Sequence, residues 1–167
     1  MNNKYLYLVE GEDELALIKA LKENPALIRQ GKVSRFDPTK QKLTPNRMIN
    51  ILPGTVVVLV FDTDTSNPGV LEFNINMLRK YVTRVNIVLV PQVLNIEDEL
   101  ERSTNVRKAQ EITNSQSLSK FKSDFANAGN VRALLVKHKF DINKLWVLSP
   151  SGAFDKYEQE SGNIKTK

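Results

Sequence analysis

Two aspartates, Asp62 and Asp64, follow directly on the apolar run Val56-Val57-Val58-Leu59-Val60-Phe61. At a strand end, spacing i, i+2 can aim both carboxylates into one crevice above the sheet edge. Bare carboxylates there are costly unless a metal ion or a basic group joins them. Other acids also follow apolar runs. Glu10 and Glu14 come after Lys4–Val9, and Glu97, Asp98 and Glu99 come after Arg84–Val90. There is no cysteine and one histidine, His138, so the donors are oxygens. Oxygen donors suit a hard cation, Mg²⁺ or Mn²⁺, over zinc. Five or six carboxylates suffice for two such ions, which can clamp the attacking and leaving oxygens of a phosphodiester.

These acids can act together only if the chain brings the strand ends to one edge. Strands are expected at 4–9, 32–36 (weak), 55–61 and 84–90. Helices are expected at 12–24, 44–52, 70–81 and 96–100, with a short helical piece at 26–30. Thr44-Pro45 marks a helix start, with Thr as N-cap and Pro at the first helical position. A polar loop spans 37–42, and Thr65-Ser66-Asn67-Pro68-Gly69 reads as a turn. Strand and helix alternate, which predicts an α/β fold with a mainly parallel four-stranded sheet and helices on both faces. In such sheets ligands bind outside the carboxyl ends of the strands, where all three acidic groups would lie. Residues 105–167 are expected to form a mostly helical extension packed on the same domain. Its helices are expected at 105–112, 117–128, 130–138 and 153–160, with an edge strand at 145–148 and a loose polar tail at 161–167.

The chain has 167 residues, enough for one domain with a sizeable core. Its net charge of +5 is uneven: residues 1–100 carry 12 basic and 12 acidic residues, and the window 102–139 carries 8 and 2. Arg107, Lys108, Lys120, Lys122, Arg132, Lys137 and Lys139 lie in that window. A solvated helical surface is its ordinary reading; a polyanionic partner, nucleic acid, is the functional one. The absence of cysteine excludes disulfides, cysteine-ligated zinc and cysteine nucleophiles. No signal-peptide layout or membrane span is visible, so a cytoplasmic location is expected. Glu12, Asp13 and Glu99 are expected on solvated helix faces, and His138 at the surface.

The segment Leu8-Val9-Glu10-Gly11 after a strand, with Asp-x-Asp at Asp62 and Asp64 after a later one, resembles the Toprim domain over about residues 4–100. Within that family Glu10-Gly11-Glu12-Asp13-Glu14 is similar to the Glu-Gly-x-x-Glu motif of the OLD (overcoming lysogenization defect) nucleases. The segment Ile96-Glu97-Asp98-Glu99-Leu100 stands where their third acidic motif would be. The resemblance implies a Toprim-like, Rossmann-like core over 1–104 and a metal-dependent nuclease, in phage–host conflict or RNA processing. It implies Glu10, Glu14, Asp62, Asp64 and Glu97 as metal ligands, with Glu10 also taking a proton from water. It further implies a late lysine near the scissile phosphate; Lys120, Lys122 and Lys137 are candidates, and Lys122 is preferred. The chain has no Gly-x-x-x-x-Gly-Lys-Ser/Thr loop, so a separate ATPase partner is expected if ATP is used. Two alternatives stand beside this. One is a non-catalytic metal- or nucleic-acid-binding module acting with such a partner. The other is a phosphatase with Asp62 as nucleophile, because Asp62-Thr-Asp-Thr fits the first motif of haloacid-dehalogenase-type enzymes.

Overall fold

A computed structural model of the chain describes residues 4–65 and 67–166. Met1–Asn3, Ser66 of the expected turn, and Lys167 of the expected tail lie outside the described residues. Four parallel strands, β1 (Tyr5–Val9), β2 (Gly31–Arg35), β3 (Val56–Asp62) and β4 (Asn86–Gln92), form one sheet in the order β2-β1-β3-β4. The weak second strand therefore belongs to the sheet, as its edge. Among the described residues six helices accompany it: α1 (Glu12–Lys22), α2 (Pro45–Ile49), α3 (Gly69–Tyr81), α4 (Ile96–Ser103), α5 (Leu118–Ala126) and α6 (Val131–Lys137). This is an α/β, Rossmann-like fold with a helical extension.

The apolar run of β3 is the centre of the sheet, and all seven of its residues are buried. Side chains alternate between faces along a strand. Val56, Val58 and Val60 accordingly join the core formed with α1, α4, α5 and α6. Val57, Leu59 and Phe61 join the opposite core, with α2 and α3. The chain steps from β1 outward to β2, then returns to the far side of β1 for β3 and β4. The reversal puts a topological switch point between β1 and β3, where a crevice opens at the carboxyl ends.

Several expectations need correction. Arg84 has φ of 55°, so β4 starts two residues later, at Asn86. Helix α1 stops at Lys22, α2 stops at Ile49, and α4 continues to Ser103. Thr44 sits at the N-cap of α2, but among the described residues its hydroxyl makes no capping bond. Residues 26–30 form no helix: the Asn24 side chain accepts from the Ala26 N–H at 3.1 Å, and Ile28 bridges Lys165 antiparallel. Only a 3-10 turn, Ala109–Ile112, forms within 105–112.

Residues 145–148 make no strand, because Trp146 takes φ of 51° and drives its side chain inward, where it is 1% exposed. Only the 3-10 turn Gly152–Phe154 forms within 153–160. Nor is 161–166 loose. Ile164 is buried, its carbonyl accepts from the Arg29 N–H, and the Thr166 N–H donates to Leu27. Just before it, the Glu160 N–H donates to the Leu89 carbonyl while the Leu89 N–H donates to the Glu160 carboxylate. Gln159 donates to the Pro91 carbonyl. The C-terminal stretch thus covers the free edge of β4, which would otherwise offer unpaired backbone groups.

Candidate active site at the carboxyl edge

Asp62 and Gln92 are partners in register across β3 and β4. Each continues the even-numbered series of its strand, so both side chains meet on the α1 face. The Gln92 amide nitrogen donates to Asp62 Oδ1 at 2.6 Å and stands 3.4 Å from Glu14 Oε1. The Trp146 indole N–H, which can only donate, points at Gln92 Oε1 from 3.3 Å. That contact fixes the fully buried amide with its N–H groups toward the acids.

Glu14 lies in the first turn of α1 and folds back so that its Oε2 accepts from the Gly11 N–H at 2.8 Å. Asp13 and Glu14 crowd over Gly11: a Cβ there would stand 2.6 Å from Asp13 Oδ1 and 2.7 Å from Glu14 Oε2. Glu10 follows β1, and its Oε2 lies 3.5 Å from the Asp62 backbone N–H, across the switch point. Thr63 ties the ends of β3 and β4 together. Its N–H and hydroxyl both donate to the Gln92 carbonyl, and its oxygen accepts from Leu94. Asp64 beyond it is exposed.

The acids are electrostatic neighbours. Burial, followed by the charge of Glu10, pushes the Asp62 carboxyl up to about 8 against the Gln92 hydrogen bond, and Asp64 and Glu97 add to the rise. Burial, then Asp13 and Asp62, pushes Glu14 up to about 9. Burial also raises Glu10, although Lys40 opposes it. The five expected ligands lie along the carboxyl edge, and among the described residues only Asp62 and Glu14 of them share a partner, Gln92. Asp13, expected in solvent, is buried and joins them.

Two lysines reach this edge. Lys122, on α5, stands 3.0 Å from Glu97 Oε1. Burial lowers the affinity of Lys122 for its proton, but Glu97, Asp13 and Asp62 together raise it above the usual value. Lys120 points elsewhere and pairs with Asp124 at 3.0 Å. The second is Lys40, whose Nζ lies 2.7 Å from Glu10 Oε1 and 3.3 Å from Asp37.

Arg107, Lys108, Arg132, Lys137 and Lys139 are exposed. Among the described residues none of their side chains is hydrogen-bonded or ion-paired, and none contacts the acids. A groove of about 360 Å³ between α1 and the start of α6 is lined by Arg132, Glu12 and Glu23, and by none of the five expected ligands. His138 is half-buried and makes no contact with the site.

Glu99, also expected in solvent, is 0% exposed. It accepts from the Val93 and Trp146 backbone N–H groups at 3.0 and 2.9 Å and pairs with Arg102 at 2.8 Å. It is a structural acid that holds the Trp146 turn against α4.

Among the described residues no three carboxylates stand together as an enclosure for an ion. Glu10 is held by Lys40, Asp62 by Gln92, and Glu97 by Lys122. The donor chemistry nevertheless fits a hard divalent cation. The donors are all carboxylate oxygens, Asp13 Oδ2 and Glu97 Oε2 are buried without a partner, and the crowding of acids favours a cation. Glu10, Glu14, Asp62, Asp64 and Glu97 are the residues that would hold it.

No family model matches this chain, and neither the curated proteins nor the solved structures give a match.

Proposed function

We propose that the carboxyl edge is the active site of a metal-dependent nuclease of Toprim type that hydrolyses phosphodiester bonds in DNA or RNA. One observation supports the reading: Asp62 and Glu14 converge on Gln92 beside the switch point, Glu10 stands next to Asp62, and Glu97 with Lys122 lies further along the same edge. Bound Mg²⁺ or Mn²⁺ would supply an activated water and neutralise charge developing on the phosphate. The chain's own residues supply the rest. Glu10 takes a proton at a carboxylate oxygen; burial raises its proton affinity above the ordinary value, although Lys40 opposes the rise. Gln92 orients Asp62. The Lys122 ammonium, beside Glu97, supplies positive charge to the nucleic-acid backbone.

The test is incubation of purified protein with plasmid, single-stranded DNA and tRNA, in Mn²⁺ and in EDTA. Cleavage of at least one substrate in Mn²⁺ but not in EDTA is expected. No cleavage of any substrate under either condition, by folded protein, would overturn the nuclease reading.

A non-catalytic nucleic-acid-binding module, working with an ATPase partner, is the second reading. The separate partners that hold Glu10, Asp62 and Glu97 favour it. Under that reading Asp62→Asn leaves nucleic-acid affinity intact while Lys122→Ala lowers it.

A further inference from the structure

Lys40 had no place in the sequence reading, yet the loop that carries it is tightly built. Asp37 Oδ1 accepts from the Thr39 N–H at 2.9 Å, the Thr39 hydroxyl at 2.7 Å and the Lys40 N–H at 3.1 Å. The side chain of Asn74, 0% exposed, reaches from α3 to donate to the Pro38 and Gln41 carbonyls. A loop pinned from both sides delivers the Lys40 ammonium to Glu10. At the other end of the edge, Phe121 and Phe125 anchor α5 in the core and leave Lys122 against Glu97.

The strand order sets these groups out in a row. Lys40 follows β2, Glu10 follows β1, Asp62 ends β3 and Glu97 follows β4, with Lys122 reaching Glu97 from α5. The ends of β2 and β4 are three strand spacings apart, about 14 Å. Lys40 meets Glu10, beyond β1, and Lys122 meets Glu97, beyond β4, so Asp62 of β3 lies between the two pairs in the strand order. Each lysine side chain is more than half exposed, at 58% and 52%. An ammonium has three donors, so each can keep its carboxylate and still bind a phosphate. The acids between them retain spare capacity: Asp13, 7% exposed, has an oxygen with no partner.

We propose that the substrate is a polynucleotide strand lying along the carboxyl edge, across the strand ends, with Lys40 and Lys122 each holding a different phosphate on either side of the one at the acids. This rests on the nuclease reading of the same edge. It makes the preferred substrate an internal stretch of backbone with phosphates on both sides of the cut, and not a terminal phosphate ester.

The test is binding of a fluorescein-labelled oligothymidylate across a range of salt concentrations, with Ca²⁺ present in place of Mn²⁺, for wild type, Lys40→Ala, Lys122→Ala and the double variant. Each contact with a single-stranded phosphate contributes about 0.7 to the slope of log affinity against log salt. Each single variant is expected to lower the slope by about that amount, and the double variant by the sum. Lys40→Arg and Lys122→Arg keep the wild-type slope. A slope unchanged in either alanine variant overturns the proposal. So does a double variant no lower than one single variant, which would mean that both lysines share one phosphate. Cleavage lost in Asp62→Asn tests the nuclease reading separately. Unchanged binding slopes with that cleavage loss remove the path alone, and absent cleavage with additive slopes removes the catalysis alone.

Discussion

Asp62 sits where burial and three neighbouring acids favour its proton, against the Gln92 hydrogen bond. Its proton affinity is raised from an ordinary 3.8 to about 8, and that of Glu14 from 4.5 to about 9. A carboxyl raised in the folded state stabilises the fold fully below its unfolded value, and that stability is lost as pH rises through the folded value. Metal-free protein should therefore lose thermal stability steadily between about pH 5 and pH 9, as a melting series across that range would record. Asp62→Asn should flatten the slope and melt higher than wild type at pH 8. Loading the ion at pH 7 should release protons, seen as a buffer-dependent heat in calorimetry. At this scale the acids were legible because each follows an apolar strand. Gln92 carried a weaker signal, its even-numbered place at the end of β4. Lys40 and Trp146 carried none, because a polar loop and an isolated aromatic acquire meaning only from what folds beside them.

At the level of elements, two features hold the edge in shape. The first is the turn between β1 and α1. Gly11 has an extended backbone that any residue could adopt, with φ of −121°, so its need is for space. Gly11→Ala should drive Asp13 and Glu14 apart, weakening metal-induced stabilisation in a melting assay with and without Mn²⁺. The second is Glu99, which joins α4, the start of the β4–α4 loop and the Trp146 turn. Glu99→Ala leaves the Val93 and Trp146 N–H groups unpaired and reduces Arg102 to its bond with the Val93 carbonyl, and should cost about 3–5 kcal/mol in chemical denaturation. Asp64→Ala, at an exposed loop position, should change stability by no more than about 0.5 kcal/mol. Helix and strand periodicity made β3, α1 and α3 readable before folding. It failed at 145–148 and 153–160, where apolar residues serve as plugs from irregular backbone, at Trp146 and at Phe154. Glu99 was misread because acids in a first helical turn are usually solvated, and only the returning chain reveals its partners.

Over the whole molecule, no described helix is long and apolar enough to cross a membrane. The last residues act from a distance, by covering the free edge of β4 and bridging Ile28. Truncation after Gly152 should expose that edge, lower the melting temperature and promote concentration-dependent association, measurable by light scattering. The parallel sheet and its two-sided core followed from the alternation of apolar runs and helical stripes. The return of the C-terminus did not, because its polar residues pair with backbone groups that the local sequence does not specify. The central claim is that the acids along the carboxyl edge perform hydrolysis. It is tested most directly by the rate of nucleic-acid cleavage in Mn²⁺ by wild type and by Asp62→Asn, with melting curves to confirm that both are folded. Cleavage by wild type and a fall to background in the folded variant are expected. Cleavage by Asp62→Asn at the wild-type rate would contradict the claim.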